Sequence, residues 1–375
     1  MNRKNICEIC TLIMGQSPDS KSYNKDKNGI PFYQGNADFG EEHPTPTVWC
    51  TAPKKIARKG DILISVRAPI GDMNIANEDC CIGRGLAAIR LNKSDIVDIN
   101  YLYHYLSATV EFLQEQGTGS TFKAINKTTL EGIEIPCPSI EKQKNIAKLI
   151  IEIKTSIQYK KAELFALNEL VKSRFIEMFG TLDLSIQGET WLPLSDVSTI
   201  FTGTTPSTKD SENWNGDIPW VTPAELSDDS FVVCDTERKI TQKGMKSKSL
   251  SLMPKNTVLL STRAPIGKVA ITGIEMCCNQ GFKNFYCNNT VLNPIYLYTL
   301  LRNNSEYLNS LGTGTTFKEI SKKNASNIKV PVADISLQNE FADFVKLIDK
   351  SKFIVQKQID DLQELLDSKM DEYFG

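Results

Sequence analysis

GTGSTFKAINKTTLEGIEIPCPSIEKQKNIAKLIIEIKTSIQYKKAELFALNELVKSRFIEMFG (117–180) is answered at the end of the chain by GTGTTFKEISKKNASNIKVPVADISLQNEFADFVKLIDKSKFIVQKQIDDLQELLDSKMDEYFG (312–375). Gly117 falls on Gly312, Phe122 on Phe317, Gln143 on Gln338 and Gly180 on Gly375, one offset of 195 held without a gap over 64 residues. A repeat this long means duplicated domains rather than a stacked solenoid. Each copy ends in a helical pattern.

That pattern is a heptad. In the first copy one seam position holds Ile150, Ile157, Leu164, Val171 and Met178, and the other holds Ile146, Ile153, Lys160, Leu167 and Arg174. The second copy has Val345, Lys352, Ile359, Leu366 and Tyr373, then Phe341, Ile348, Val355, Leu362 and Lys369. A stripe sustained over four heptads or more is a coiled-coil signal. A run of roughly 40 residues spans about 60 Å and overruns a small domain, so each helix needs the other or a partner to bury its stripe. Lys160 stands opposite Val355 in the alignment and Lys352 opposite Ile157. Polar insertions of this kind fix register at a cost in stability. Ser139, and Asp334 in the copy, are N-cap candidates.

Outward from the repeat, IEIPCPS and IKVPVAD read as a final strand of each globular part. YLYHYLSATVEFLQEQ (101–116) and YLYTLLRNNSEYLNSL (296–311) each read as an amphipathic helix. KGDILISVRAPIGDMNIANEDCCIGRGLAAIRL (59–91) and KNTVLLSTRAPIGKVAITGIEMCCNQGFKNFYC (255–287) each read as a β-hairpin or meander, broken at Pro-Ile-Gly. Arg67 falls on Arg263, at an offset of 196. Adjacent cysteines Cys80–Cys81 and Cys277–Cys278 point to opposite faces of a strand, and neighbours rarely bridge, so they read as packing residues. ICEICTLIMG (6–15) matches LSDVSTIFTG (194–203) and reads as a short strand or helical turn before an exposed loop.

Two repeated features carry hydrogen-bond donors. RAPIG is a turn, because Pro fixes φ and Gly permits a positive one; on a sharper reading Arg67 and Arg263 beside it reach a phosphate or a base edge. The GTGSTFK and GTGTTFK loops can cradle an anion with backbone N–H groups, to which Thr121, Lys123, Thr316 and Lys318 add donors. A plain flexible turn is the competing reading, and the loop lacks the Walker A order. The CxxC of Cys7 and Cys10 has Ser195 and Ser198 as its twins, and the chain has only His43 and His104. Zinc normally needs four such ligands, so small structural residues are the better reading. NPIY (293–296) has the outline of an amino-methyltransferase NPPY with Ile295 in place of proline, and no glycine-rich cofactor loop accompanies it. Glu237-Arg238-Lys239 matches a nuclease ExK no better than chance. No active site, cofactor or metal is expected.

Composition bounds the rest. A chain of 375 residues holds two or more domains, and its 41% hydrophobic and 23% charged residues describe an ordinary globular protein. No signal-peptide layout opens the chain, and no apolar run approaches the ~20 residues that span a bilayer. With ten cysteines as well, a reducing cytoplasmic setting away from membranes is expected. The 43 basic and 45 acidic residues leave a formal charge of −2, which is no nucleic-acid footprint. Residues 139–180 carry 8 basic and 5 acidic side chains, whereas 334–375 carry 5 and 10. Any DNA contact therefore comes from local patches or is helped by basic partners.

Here the residues carry a resemblance covering nearly the whole chain. LNELVKSRFIEMFG (167–180), PSIEKQKNIA (138–147) and FTGTTPSTKDSENWNGDIPWVTPAEL (201–226) resemble the specificity subunits of type I restriction–modification systems, although Lys142 stands where an acidic residue is commoner. The resemblance implies an α/β fold of the α+β type, in which duplicated recognition domains are joined by two long helices forming an antiparallel coiled coil. The expected division is 1–138 and 181–333 for the domains, 139–180 and 334–375 for the helices. Each domain is expected to read half of a bipartite, asymmetric double-stranded DNA target, and the helices to set the gap. Two adenine-methyltransferase subunits are expected to dock, and restriction–translocation subunits to join them. Two other classes stay open on the residues alone: a catalytic chain with a site in 181–333, and a coiled-coil adaptor that binds only protein.

Overall fold

The computed structural model describes residues 3–117, 123–186, 188–227, 230–314 and 318–375. It divides into two compact units, residues 1–161 with 358–375, and residues 162–357.

In the first unit, Asn5 starts a one-turn helix, Ile6–Ile9. Its Oδ1 accepts from Cys7 N at 2.9 Å, and its own N–H donates to Glu8 Oε1 at 3.1 Å, a reciprocal cap. The chain then enters an antiparallel sheet ordered Cys10–Met14, Leu86–Leu91, Ile62–Ser65, Met73–Ile75. A second sheet of short strands is ordered Tyr23–Asn24, Trp49–Cys50, Ile30–Tyr33, Cys80–Ile82, Ile56–Ala57. Glu134–Pro136 closes the unit by pairing antiparallel with Arg3–Asn5.

Of the hairpin or meander expected over 59–91, the structure has the hairpin, but the whole stretch is not one meander. Ile62–Ser65 and Met73–Ile75 form the hairpin, Cys80–Ile82 leaves to pair parallel with Ile30–Tyr33, and Leu86–Leu91 returns to Ile62–Ser65. The cysteine pair shows why. Cys80 packs with Tyr33, Leu63 and Leu86, while Cys81 packs with Phe32 and Cys50, so the strand lies between two apolar clusters and cannot stay in one half-buried sheet. The helix expected at 101–116 is also two, Ile99–Ala108 and Val110–Glu115, broken at Thr109, whose Oγ1 donates to Leu106 O at 2.9 Å.

The second unit repeats this plan. Its main sheet is ordered Ser198–Thr202, Phe282–Cys287, Thr257–Ser261, Val269–Thr272, Val232–Val233, and a smaller one joins Lys239–Ile240, Trp214–Val221 and Cys277–Cys278. Leu192–Pro193 pairs with Lys329–Val330. Pro294–Asn303 packs on the main sheet through Leu297 and Leu300, against Val258, Leu260 and Phe285. Asn304 breaks this helix from Ser305–Ser310. Its Oδ1 accepts from Leu184 N, and its Nδ2 donates to Leu182 O and Leu300 O, which ties the entering segment down.

Two 40-residue helices run through the chain, Ile140–Phe179 and Ile335–Phe374. In the first unit Ile146, Ile150, Ile153 and Ile157 of one and Ile359 and Leu366 of the other are buried, as the heptad predicts. In the second unit the last turns of one meet the first turns of the other, in the antiparallel sense. Phe175 lies 5.3 Å from Phe341 between ring centres, and Arg174 reaches Glu340 at 3.1 Å. Here the seam departs from the heptad. Phe175 is buried while Arg174 stays partly exposed, because the helix end packs into an aromatic cluster made by Phe179, by Phe341 of the partner helix and by Tyr296 of the globular part. Phe374 repeats the Phe179 contact in the first unit, 5.3 Å from Tyr101 and 5.9 Å from Tyr105. Among the described residues no helix is long and apolar enough to cross a membrane.

Gln143 and Gln338 join each helix start to its domain, and both are fully buried. Gln143 accepts from Asp98 N and donates to Ile96 O and Pro138 O, each at 2.9 Å. Gln338 accepts from Asn293 N at 2.8 Å and donates to Val291 O and Ala333 O at 3.0 and 2.7 Å. Replacing Gln338 with Leu keeps similar bulk but strands three backbone groups. At about 1–3 kcal/mol for each buried unpaired group, with partial relaxation, the expected loss is about 2–4 kcal/mol. Urea unfolding measures it; an unchanged midpoint would show that the amide is dispensable.

Candidate nucleic-acid interface

In each unit the structure brings together the two features singled out in the sequence. The RAPIG turn links the strands Ile62–Ser65 and Met73–Ile75, and in the second unit Thr257–Ser261 and Val269–Thr272. The Ala68–Pro69 and Ala264–Pro265 bonds are cis, and Gly71 and Gly267 have φ of 99° and 95°. A serine staples each turn: Ser65 Oγ donates to Pro69 O at 2.7 Å and accepts from Asp72 N, and Ser261 Oγ does the same with Pro265 O and Lys268 N.

The strand leaving the glycine loop runs alongside this turn. Ile125 N donates to Val66 O and Ala68 N to Lys123 O, which sets Arg67 across from Ala124 in an antiparallel bridge. Ile320 N donates to Thr262 O, and Arg263 stands across from Glu319. The first glycine of each loop is required by close approach. A Cβ on Gly117 would lie 2.8 Å from Ile70 Cδ1, and one on Gly312 2.7 Å from Ile266 Cδ1, the isoleucines of the two turns. Each unit thus carries an arginine and a lysine on neighbouring, bridged segments, Arg67 with Lys123 and Arg263 with Lys318, all exposed. Thr121 and Thr316 lie outside the described residues.

The two units differ in one respect that the repeat alone did not flag. Arg263 Nε donates to Glu319 Oε2 at 2.9 Å, and Lys283 Nζ donates to Glu319 Oε1 at 3.3 Å. Partial burial raises the Glu319 carboxyl, but hydrogen bonds and charges from Arg263 and Lys283 outweigh it and leave the group below its ordinary range. The first unit has Ala124 and Ala87 in the corresponding places. The signal was present as a mismatch, GTGSTFKAI against GTGTTFKEI.

The features set aside as unreactive have structural work. Cys10 is buried in a strand, and burial, with Cys7 nearby, pushes its thiol up to about 12. Asn293 of NPIY caps the helix behind it through Ile295 N at 2.8 Å, and Tyr296 is buried with its hydroxyl on Pro331 O. In Glu237-Arg238-Lys239 the arginine stacks 3.6 Å from the Trp214 ring centre and the lysine pairs with Asp235. Among the described residues no three His, Cys, Asp or Glu side chains are grouped to hold a metal ion.

The profile of the family described as type I restriction modification DNA specificity domain matches residues 1–169 and 189–364. In Methanocaldococcus jannaschii, the chain called the MjaX specificity subunit of a type I restriction enzyme is 49% identical over 152 residues, 40% of this chain and 36% of that one. The MjaIX specificity subunit of the same organism is 36% identical over 185 residues, 48% of this chain and 43% of that one. The matched stretch thus spans less than half the length of either relative. The S subunit of a type I restriction–modification system from M. genitalium has the same fold, with a TM-score of 0.62 over 100% of this chain and 96% of that one, at 15% identity. A chain from a study of assembly and conformational transition in a type I R-M system gives 0.61 over 100% and 97%, at 16% identity.

A consequence of the Glu319 pairing is testable by titration. Its carboxyl lies below the ordinary 4.5, so the stabilisation it supplies is complete above that value and is lost as pH falls through the lowered one. The stability gap between the natural chain and Glu319→Gln should be flat at neutral pH and close on the acid side. A gap that instead widened toward acid would contradict the pairing.

Proposed function

The chain belongs to the type I restriction modification DNA specificity family, and on that premise we propose that it reads DNA for a modification and restriction complex and performs no chemistry itself. Residues 1–138 and 181–333 each read one half of a bipartite double-stranded target. Helical residues 139–180 and 334–375 set the gap between the halves. Two adenine-methyltransferase subunits dock on the chain, restriction–translocation subunits join them, and the assembly works in the cytoplasm. One observation carries this reading: the same turn and loop strand occur in both units, each presenting an exposed Arg and Lys pair. Phosphate contact by such pairs positions a protein on DNA, and contacts to base edges specify the sequence.

Partner docking is supported by what the long helices leave uncovered. Tyr159 is 73% exposed in the first unit, and Phe165 and Phe353 are 68% and 72% exposed in the second. Large aromatic side chains of this kind commonly anchor protein interfaces.

Binding of the chain, alone and with its methyltransferase, to DNA over a range of salt tests the reading. Lys123→Ala and Lys318→Ala should each weaken binding to all sequences alike and reduce the log–log salt slope by about 0.9. An effect confined to one half-site would contradict a phosphate role, and binding of S-adenosylmethionine by the lone chain would contradict a non-catalytic one. Separately, Phe353→Ser should lower methyltransferase co-purification about tenfold while leaving the unfolding midpoint near its natural value; undiminished recovery would remove this residue from the docking surface.

A further inference from the structure

We infer that the two arginines of the duplicated turn act differently: Glu319 and Lys283 hold Arg263 as an oriented guanidinium for two acceptors at fixed spacing on DNA, whereas Arg67 is an untethered cation. This rests on the DNA-reading function proposed above.

The carboxylate of Glu319 is divided. Oε2 takes Arg263 Nε at 2.9 Å, and Oε1 takes Lys283 Nζ at 3.3 Å. The contact engages the arginine through Nε, which leaves the end-on edge formed by its two terminal nitrogens as a donor pair, and the side chain keeps 47% of its surface exposed. Lys283 is only 8% exposed and also lies 3.4 Å from Thr262 Oγ1. A carboxylate alone would cancel the charge of the arginine beside it. Lys283 restores that charge, so the triad sums to one positive charge, the same as Arg67 by itself. The second unit has therefore gained orientation, not charge.

The first unit lacks every part of the device. Ala124, Ala87 and Val66 stand at the places of Glu319, Lys283 and Thr262. Arg67 is exposed and makes no ion pair among the described residues. An oriented guanidinium matches the N7 and O6 edge of guanine or two oxygens of one phosphate, and lysine cannot replace it there. An untethered arginine acting as a point charge can be replaced by lysine.

The test uses the chain in complex with its methyltransferase, a duplex carrying the motif found by methylation mapping of the host, and a random duplex. Arg67→Lys should keep affinity for both within about threefold, and Arg263→Lys should lose about tenfold or more on the motif. Loss on the motif alone identifies a base edge; equal loss on both duplexes identifies a phosphate. Where a base edge is identified, Glu319→Gln should also reduce preference for the motif without lowering affinity for random DNA, since it removes a negative charge. Ala124→Glu, which adds a carboxylate without a lysine, should lower the salt slope by about one. Equal effects of the two Arg→Lys changes would overturn the inference, as would full motif preference in Glu319→Gln where Arg263→Lys loses affinity on the motif alone. Should Glu319→Gln unfold, the two Arg→Lys variants still decide. If the natural complex binds neither duplex, the DNA-reading function itself fails.

Discussion

Two buried glutamines set the terms for everything else in this chain. A helix of 40 residues attached to a small domain acts as a lever, and any looseness at its root is magnified along its length. Gln143 and Gln338 remove the looseness by using each amide in full, one acceptor and two donors, on backbone groups of the domain and of the segment entering the helix. A buried amide left partly unpaired would be costly, so each root has one satisfactory geometry. The Arg and Lys pairs lie on the same domains that these glutamines join to the helix starts.

Each domain is also built so that its two charged segments cannot drift apart. Ile70 under Gly117 and Ile266 under Gly312 bring the loop against the turn, and backbone hydrogen bonds lace the two together. The serine staples hold the turn from its other side. Rigid presentation of this kind suits recognition better than charged side chains on an isolated loop.

Much of this was legible in the sequence, and the reason is periodicity. A gapless repeat and a heptad are local patterns, and they located both helices, the closing strands and the segments that carry the basic pairs. Pattern reading failed where the deciding contact joins distant residues. Gln143 and Gln338 were matched as repeat partners, but nothing near them announces hydrogen bonds to residues some 45 positions away. Glu319 went unremarked in the sequence because its partners, Arg263 and Lys283, lie 56 and 36 positions away. Phe175 broke the heptad because its packing comes from Tyr296 and Phe341, which a single-helix pattern cannot see. The stretch 59–91 was read as a β-hairpin or meander; the hairpin is there, but alternation reports which face is buried, not which sheet a strand joins, so the departure of Cys80–Ile82 went unseen.

The contacts of Phe179 and Phe374 bear on how the molecule is made. Phe179 packs on Tyr296 and Phe374 on Tyr101, so each globular part is finished by a residue from the tail of the other copy's helix. The second unit draws on the continuous run 162–357, but the first needs residues 358–375 as well. During synthesis the domain that emerges first is thus the last to be completed. Until those residues leave the ribosome Tyr101 and Tyr105 lack their aromatic cover, so the first unit waits on the second.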